Sequence, residues 1–578
     1  MKRRQFLTLL AAGASMVVPT RGFSNVLDGS VAASGEKSGE STDTTQQSIF
    51  STRDTLPMLP KILDLHSHMF NCRYLPMENI LNNWLKNPTF ASIAAQILYR
   101  MAGSSYKTPS SRRAMLQEFI QQAAKTGQDT NSEQLDDFYI DEMWKMAKHE
   151  LLLTTHDQNL ITRFKKEGEE PASWMNQAKE VYPGLMNSDL FSLISELEAV
   201  QYKPEWEVVI PRSKFTLPSN TLKTAKSISD LLDVAGYVLK RALWVIVKLV
   251  MPKFLSEKGH SYAEFIFTLL ASEEQILDRF LRAYGDGLPP IQTVHYMMDM
   301  QMAYPGKTPA FYDFPTVQLD RMQTLWRRHP ETLIGFSAFD PRRHDWMKLV
   351  ITSRKKGFVG FKFYPAMGYR PSDNQDKKIQ LRIDAFFDWC VKNDVPIFAH
   401  CTPEGFEASK GEGRNAHPKY WRNVLQTRKA LRLCLGHAGG GRMGKSAGWL
   451  ATSDEEWATD DNYARGVVEL CITYPNVYCE MAYITTLLAE DRDGKIREAF
   501  LYNLERARKT KGEYEFMAKI AYGSDWHMPG MVTNARRYLD VWSEIFSLPD
   551  YKDYRDRFFW QNSEAYLNSS MRSHSASE

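Results

Sequence analysis

The sequence predicts a (β/α)8 barrel with a large helical insertion after its first strand. The first observation is a set of eight short apolar segments, one near residue 61 and seven after residue 290. The seven later segments start about 25 to 45 residues apart, the length of one strand–helix unit with its loops. Strands that alternate with helices favour a parallel sheet, and eight such units favour closure into a barrel. In chain order the segments are KILDLHSHMF, IQTVHYMMDM, TLIGFSAFDP, GFVGFKFYP, VPIFAHC, LRLCLGHAGG, NVYCEMAY and KIAYGSDWH.

The second observation is that nearly every apolar segment ends with a polar or ionisable residue. In a (β/α)8 barrel the carboxyl ends of the strands form one face, and that face carries the active site. An apolar strand has no structural need for an imidazole at its end, so we expect these side chains to converge on a functional site. In chain order they are His66 and His68, Asp299, Asp340, Lys362, His400, His437, Glu480 and Asp525.

The third observation is length, because the chain has 578 residues and a barrel needs about 250. Between the first two strands, apolar residues recur at helical spacing, as in LDDFYIDEMWKMAKHELLL. This insertion leaves the barrel at its active face, so we expect a cap or lid, with a homo-oligomer contact as the competing role. The predicted regions are a signal peptide with the start of a linker at 1–34, a polar linker at 35–58, the barrel at 59–70 and 291–568, the insertion at 71–290, and a polar tail at 569–578.

Composition excludes some partners. The 72 basic and 69 acidic side chains give a net charge of +3, which offers no electrostatic footprint for nucleic acid. The six cysteines lack the paired spacing of a structural zinc site, and several lie in apolar segments, so we expect buried thiols rather than disulfides. The apolar run at 242–255 is too short for a membrane span and contains Lys248 and Pro252, so no integral span is expected.

The first residues, MKRRQFLTLLAAGASMVV, predict export. Arg3 and Arg4 precede Phe6 and Leu7, and a moderately apolar stretch follows, an order typical of a twin-arginine signal. The alternative is an ordinary basic N-terminus before a helix. We therefore expect the twin-arginine machinery to carry the protein to the periplasm or otherwise out of the cytoplasm.

The strand ends also predict a metal site. His66 and His68 are two apart on a strand, so both imidazoles face the same side and can bind one ion. His400 would add a third nitrogen and Asp525 a carboxylate, a donor set that suits Zn and, less exclusively, Mn or Fe. The alternatives are a buried core histidine for His400, a turn or cap aspartate for Asp525, and a histidine bonded to the glycine turn for His437.

The ordered set DLHSH, GFKFYP, FAHC, LGHAGG and YGSDW resembles the amidohydrolase superfamily. Within it, the set is most similar to the amidohydrolase-related branch (amidohydrolase 2) of small-molecule hydrolases and decarboxylases. The resemblance covers residues 60–70 and 290–565 but not the helical insertion. It implies one divalent ion held by the first-strand pair, the fifth-strand histidine and the eighth-strand aspartate, which here are His66, His68, His400 and Asp525. It also implies that His437 acts on the substrate.

Some members of the superfamily carry a carboxylated lysine that bridges two metals at the end of the fourth strand, where this chain has Lys362. We favour a lysine that binds a substrate anion or pairs with a carboxylate, hence a single metal. Lys362, Tyr364 or Arg370 could hold a substrate carboxylate, and Glu480 is a further candidate for substrate binding.

These residues predict a metal-dependent hydrolase of an amide, lactone or ester bond in a small molecule. A bound ion lowers the pKa of its water toward about 7, Asp525 can take the proton, and His437 can polarise the carbonyl or protonate the leaving group. Two alternatives stay open. One is a metal-dependent decarboxylase of a small aromatic or unsaturated acid, and the other is a catalytically silent binding protein on the same barrel.

Overall fold

The described part of the chain comprises the barrel and a portion of the insertion. The predicted signal and linker, the apolar run at 242–255, much of the insertion and the end of the tail lie outside it. Within it, no helix combines the length and apolar character that crossing a membrane requires. The computed structural model describes residues 59–85, 88–126, 138–139, 141–143, 145–146, 257–304, 309–441, 448–489, 491 and 493–572.

Eight parallel strands form one sheet in which each strand pairs with the next along the chain. The sheet closes on itself because Leu65 N donates to Tyr522 O at 2.9 Å and Asp525 N donates to His66 O at 2.7 Å. The predicted (β/α)8 barrel is therefore confirmed, and each apolar segment contains one strand. The strands are β1 Ile62–Ser67, β2 Ile291–Tyr296, β3 Leu333–Phe339, β4 Gly360–Phe363, β5 Ile397–His400, β6 Leu433–Gly436, β7 Val477–Glu480 and β8 Ile520–Ala521.

Alternate strand residues fill the barrel interior, as the two-residue period of a strand requires. The C-terminal helix covers the amino ends of the strands, since Arg432, just before β6, donates to Tyr566 O at 3.1 Å. Its Tyr566 and Leu567 side chains join the interior cluster. The opposite end, where the polar residues lie, stays open for a site. The strand residues of this cluster are Leu63, Leu65, Val294, Tyr296, Ile334, Phe336, Phe398, Cys434 and Ala521.

Amphipathic helices form the outer layer. Lys377–Lys392 is an example: the Asp376 carboxylate caps it by accepting from Lys378 N at 2.8 Å, and Phe386 stacks on Phe339 of β3 at 3.7 Å. The barrel helices are Leu319–Arg328, Trp346–Lys355, Lys377–Lys392, Lys419–Thr427, Asp454–Ala458, Tyr463–Thr473, Lys495–Lys509, Ala535–Ile545 and Asn562–Arg572.

The described part of the insertion is helical, as predicted, and lies against the open face of the barrel. Gly530 N and Thr533 Oγ1, in the loop after β8, donate to Ser261 Oγ at 2.6 Å and 3.1 Å. Its helices are Met77–Leu85, Pro88–Met101, Ser110–Thr126, Glu257–Leu269 and Glu273–Tyr284.

All six cysteines of the chain are buried, and none forms a disulfide. This confirms the prediction of buried thiols.

Candidate metal centre and active-site cavity

A change of register in β1 turns two histidines into the open end of the barrel. Leu63 and Leu65 pack in the interior cluster, and the pairing of β1 with β2 then shifts between Asp64 and Ser67. His66, within the shifted stretch, and His68, just after it, line a cavity at the carboxyl ends of the strands. Irregularities of this kind re-aim side chains next to active sites.

Asp64 holds this irregular segment against β8. Its buried carboxylate accepts from His66 N at 3.1 Å, Ser524 N at 2.8 Å and Tyr284 Oη at 2.7 Å. Burial raises the pKa of Asp64 to about 6. The aspartate of DLHSH, which sequence reasoning did not single out, therefore ties the first and last strands together beneath the site.

Three donor atoms converge beyond this segment. Asp525 Oδ1 lies 3.3 Å from His66 Nε2 and 3.2 Å from His68 Nε2. Ligands of a tetrahedral ion bound at about 2.0 Å lie about 3.3 Å from each other. His66, His68 and Asp525, called here the metal triad, therefore fit a divalent ion in both donor type and spacing, and all three side chains are buried.

Both histidines of the metal triad are oriented through their second ring nitrogen. His66 Nδ1 donates to Glu480 Oε1 at 2.9 Å, and His68 Nδ1 donates to Tyr296 O at 3.0 Å. With the proton on Nδ1, each Nε2 presents a lone pair, the state in which imidazole binds a metal. Burial also lowers the pKa of His68 to about 3, which favours the neutral ring.

The backbone adopts a left-handed conformation at two strand ends of the site. Asp525 and His437 both have φ near 60°. Non-glycine residues with positive φ are uncommon and cluster at functional sites, where surrounding contacts hold the strain. At Asp525 the bond from its N to His66 O supplies such a contact, and the carboxylate then meets the two imidazoles.

His400, the predicted fourth ligand, lies on the wall of the same cavity but not in the metal triad. Its Nε2 donates to Glu404 O at 2.7 Å, and its ring stacks on Tyr364 with centroids 4.4 Å apart. Its role as a metal ligand stays a prediction. To bind the ion, His400 Nε2 would have to give up its hydrogen bond to Glu404 O.

His437 stands between the other imidazoles, with ring centroids 5.0 Å from His66 and 4.9 Å from His400. Its Nδ1 donates to Ala482 O at 3.3 Å. Burial lowers the pKa of His437 to about 4, so the neutral ring is the expected form. The side chain lines the cavity, as its predicted role on the substrate requires.

Lys362 occupies an interior position of β4, where the neighbouring strand residue is Phe398. Its Nζ lies 3.4 Å from His66 Nε2 and 4.2 Å from the Phe398 ring centroid. Burial lowers the pKa of Lys362 to about 8, which still leaves most of the amine charged at neutral pH. Lys362 therefore places a buried cation beside the metal triad, and Tyr364 lines the cavity next to it.

Two predicted substrate-binding residues face the protein instead of the cavity. Glu480 accepts from His66 Nδ1 and His437 N on one oxygen and from Ala482 N on the other. Arg370 Nε donates to Asn415 Oδ1 at 2.7 Å. Neither side chain is among the described residues that line the cavity. Glu480 thus orients the ring of His66 and the backbone of His437. Arg370 links its own loop to Asn415.

The strand-end aspartates of β2 and β3 form ion pairs outside the cavity. Arg343 Nη2 donates to Asp299 Oδ1 at 2.9 Å, and Arg342 Nε donates to Asp340 Oδ1 at 2.9 Å. Sequence reasoning missed Glu404, which is among the cavity-lining residues and whose backbone oxygen accepts from His400 Nε2. An acidic residue four positions after a strand-end histidine, in HCTPEGF, was the available signal.

Comparison with known proteins identifies the family. A family model described as amidohydrolase matches residues 272–568. No curated protein matches the chain. A probable 2-pyrone-4,6-dicarboxylic acid hydrolase from Acinetobacter baumannii, solved with citric acid bound, is 13% identical, with a TM-score of 0.32, over 50% of this chain and 88% of its own.

Two further solved structures are similar at the same level. A 5-carboxyvanillate decarboxylase from Novosphingobium aromaticivorans, complexed with manganese, is 13% identical, with a TM-score of 0.35, over 57% of this chain and 87% of its own. An amidohydrolase from Burkholderia multivorans with bound zinc is 14% identical, with a TM-score of 0.33, over 52% and 91%. Since the family model covers just over half of the sequence, the chain belongs to the amidohydrolase family.

Proposed function

We propose that the protein is a metal-dependent hydrolase that cleaves an amide, lactone or ester bond of a small molecule. The observation that carries the proposal is the convergence of His66 Nε2, His68 Nε2 and Asp525 Oδ1 in a cavity at the carboxyl ends of the barrel strands. Two nitrogens and one oxygen suit zinc, with manganese or iron as alternatives. Membership of the amidohydrolase family supports the same chemistry.

The metal triad would hold the ion, with His400 as the candidate fourth ligand. An ion bound there would lower the pKa of a coordinated water from 15.7 toward about 7 and polarise a carbonyl oxygen. Burial raises the pKa of Asp525 to about 7 without metal, and a bound dication would lower it again. Its carboxylate lies where it could take the proton of a metal-bound water.

The remaining polar residues handle the proton and the substrate. Because His437 Nδ1 donates to Ala482 O, Nε2 of the neutral ring is the atom that can accept a proton and return it to the leaving group. Lys362 Nζ, buried beside the metal triad, can hold a negatively charged oxygen of the substrate. Apolar side chains such as Phe265 line part of the cavity and would limit the access of bulk water to it.

The test compares the purified protein as isolated, after removal of metal by chelation, and after reloading with zinc. We expect hydrolysis of members of a panel of lactones, esters and anilides only when metal is present, with ¹⁸O from labelled water in the product acid. A His68→Asn variant should lose metal and activity together while keeping its circular dichroism spectrum.

Two results would contradict the proposal. Release of carbon dioxide from aromatic acids, without incorporation of water oxygen, would assign the site to decarboxylation. A folded protein that retains no metal and turns over no member of either panel would indicate a binding protein on the same barrel.

A further inference from the structure

The cavity has two chemically different sides. Residues at and after the ends of β4 to β6 make one side mainly polar, among them Lys362, His400, Thr402 and His437. The other side is contributed by the segments after β8, β1 and β2, which are neighbours in the closed barrel. Apart from His66, His68 and Asp525 close to the strand ends, the side chains that these segments place in the lining are apolar. We call six of them the apolar wall: Leu75, Ile80, Phe265, Met298, Met300 and Met528.

Half of the apolar wall comes from the insertion. Ile80 lies on the helix Met77–Leu85, and Phe265 on the helix Glu257–Leu269, some 200 residues later in the chain. Phe265 also packs on the His527 ring, with centroids 5.5 Å apart, close behind Asp525 in sequence. The insertion thus supplies part of the lining of the cavity that contains the metal triad.

Two charged residues that adjoin the apolar wall in sequence bind other partners. Asp299, between Met298 and Met300, pairs with Arg343. Arg73, near Leu75, donates to Tyr99 O at 2.7 Å and to Tyr312 Oη at 3.0 Å. Among the residues that the structure describes, Lys362 is the one lysine or arginine that lines the cavity, and it lies at the metal triad.

We propose that the substrate carries a hydrophobic acyl or aromatic portion that extends from the scissile bond onto the apolar wall and bears no charge at its far end. This inference rests on the proposed hydrolase function, because the metal triad sets where the reacting bond lies. Along this wall the described residues include no lysine or arginine in the lining, and burying a terminal carboxylate there unpaired would be costly. Methionine side chains can adapt to several shapes of such a group.

The test measures binding of alkyl hydroxamates to the zinc-loaded, full-length protein by calorimetry. The hydroxamate head binds zinc, and the alkyl tail reports on the wall without any need for turnover. From acetohydroxamate to hexanohydroxamate we expect affinity to rise about 3- to 4-fold for each methylene group. The monohydroxamate of adipic acid, which ends in a carboxylate, should bind at least about 10-fold more weakly than hexanohydroxamate.

A matched pair of variants locates the effect. Phe265 and Phe267 share one helix and are both 4% exposed, but Phe265 lines the cavity and Phe267 packs under Arg279 at 4.2 Å. Phe265→Ala should weaken hexanohydroxamate binding about 10-fold and leave acetohydroxamate binding unchanged, whereas Phe267→Ala should change neither. Ile80→Ala, at a half-buried position, gives the same test if Phe265→Ala fails to fold.

The outcomes separate this inference from the proposed function. Affinity that does not rise with tail length, or that is higher for the adipic probe, overturns the inference even if hydrolysis is found. Rising affinity that is lost in Phe265→Ala supports the inference, and an absence of hydrolysis in that same preparation would count against the hydrolase alone.

Discussion

Glu480 offers the sharpest test of how the metal triad is built. Its Oε1 accepts from His66 Nδ1 at 2.9 Å and from His437 N at 2.7 Å, and its Oε2 accepts from Ala482 N. Glu480→Gln keeps the shape but removes the charge and replaces one acceptor by a donor. We expect the His66 ring to lose its orientation and part of its basicity as a ligand.

The magnitude follows from the hydrogen bonds that are weakened. Bonds to a charged group contribute about 1.5–3 kcal/mol and neutral bonds about 0.5–1.5 kcal/mol. Weakening two of them by about 1 kcal/mol each lowers zinc affinity by about 30-fold, within the 10- to 100-fold range found for partners of metal ligands. Burial raises the pKa of Glu480 to about 8, and a bound dication lowers it again, so the charge matters most when metal is present.

The assay is zinc affinity, measured by competition with a chromophoric chelator, together with thermal unfolding with and without zinc. Glu480→Gln should reduce the rise in Tm on zinc addition and affect the metal-free Tm little. Glu273→Gln is the matched control, since Glu273 is a buried carboxylate that Arg321 Nε contacts at 2.7 Å, away from the cavity. Zinc affinity of Glu480→Gln within threefold of the parent protein would refute the reasoning.

Three further predictions follow from the cavity, the β1 segment and the N-terminus. Lys362→Met should lower kcat/KM about 100-fold with metal content unchanged, because a buried cation beside the metal triad is lost; steady-state kinetics and elemental analysis check both parts. Asp64→Asn should lower the free energy of unfolding by about 1–3 kcal/mol in urea titrations, because its carboxylate accepts several buried donors. Replacing Arg3 and Arg4 together by lysine should retain the protein in the cytoplasm on cell fractionation, and unchanged export would reject the twin-arginine prediction.

The strands could be predicted because their signal is local. Each apolar segment is only a few residues long, and its spacing from the next reflects one strand–helix unit. The site face could be predicted for the same reason, since parallel strands of a barrel all end on one side. That rule predicts that His66, His68, Lys362 and Asp525 lie near one another, and the structure gives the distances between them.

The direction of side chains beyond the strand ends could not be predicted from local pattern. Glu480 ends β7 and Arg370 follows β4, yet Glu480 bonds the imidazole of His66 and Arg370 bonds Asn415. These choices depend on contacts between residues tens to hundreds of positions apart. A residue such as Phe265 carries no local signal at all, because only the packing of the insertion brings it to the cavity.

The most direct test of the central claim is an anomalous difference map from crystals of the zinc-loaded protein, collected on both sides of the zinc absorption edge. The account predicts one strong peak about 2.0–2.2 Å from His66 Nε2, His68 Nε2 and an Asp525 carboxylate oxygen. Whether His400 Nε2 also approaches the peak will decide its role as the fourth ligand. A fully zinc-loaded protein with no peak between these three side chains would contradict the account.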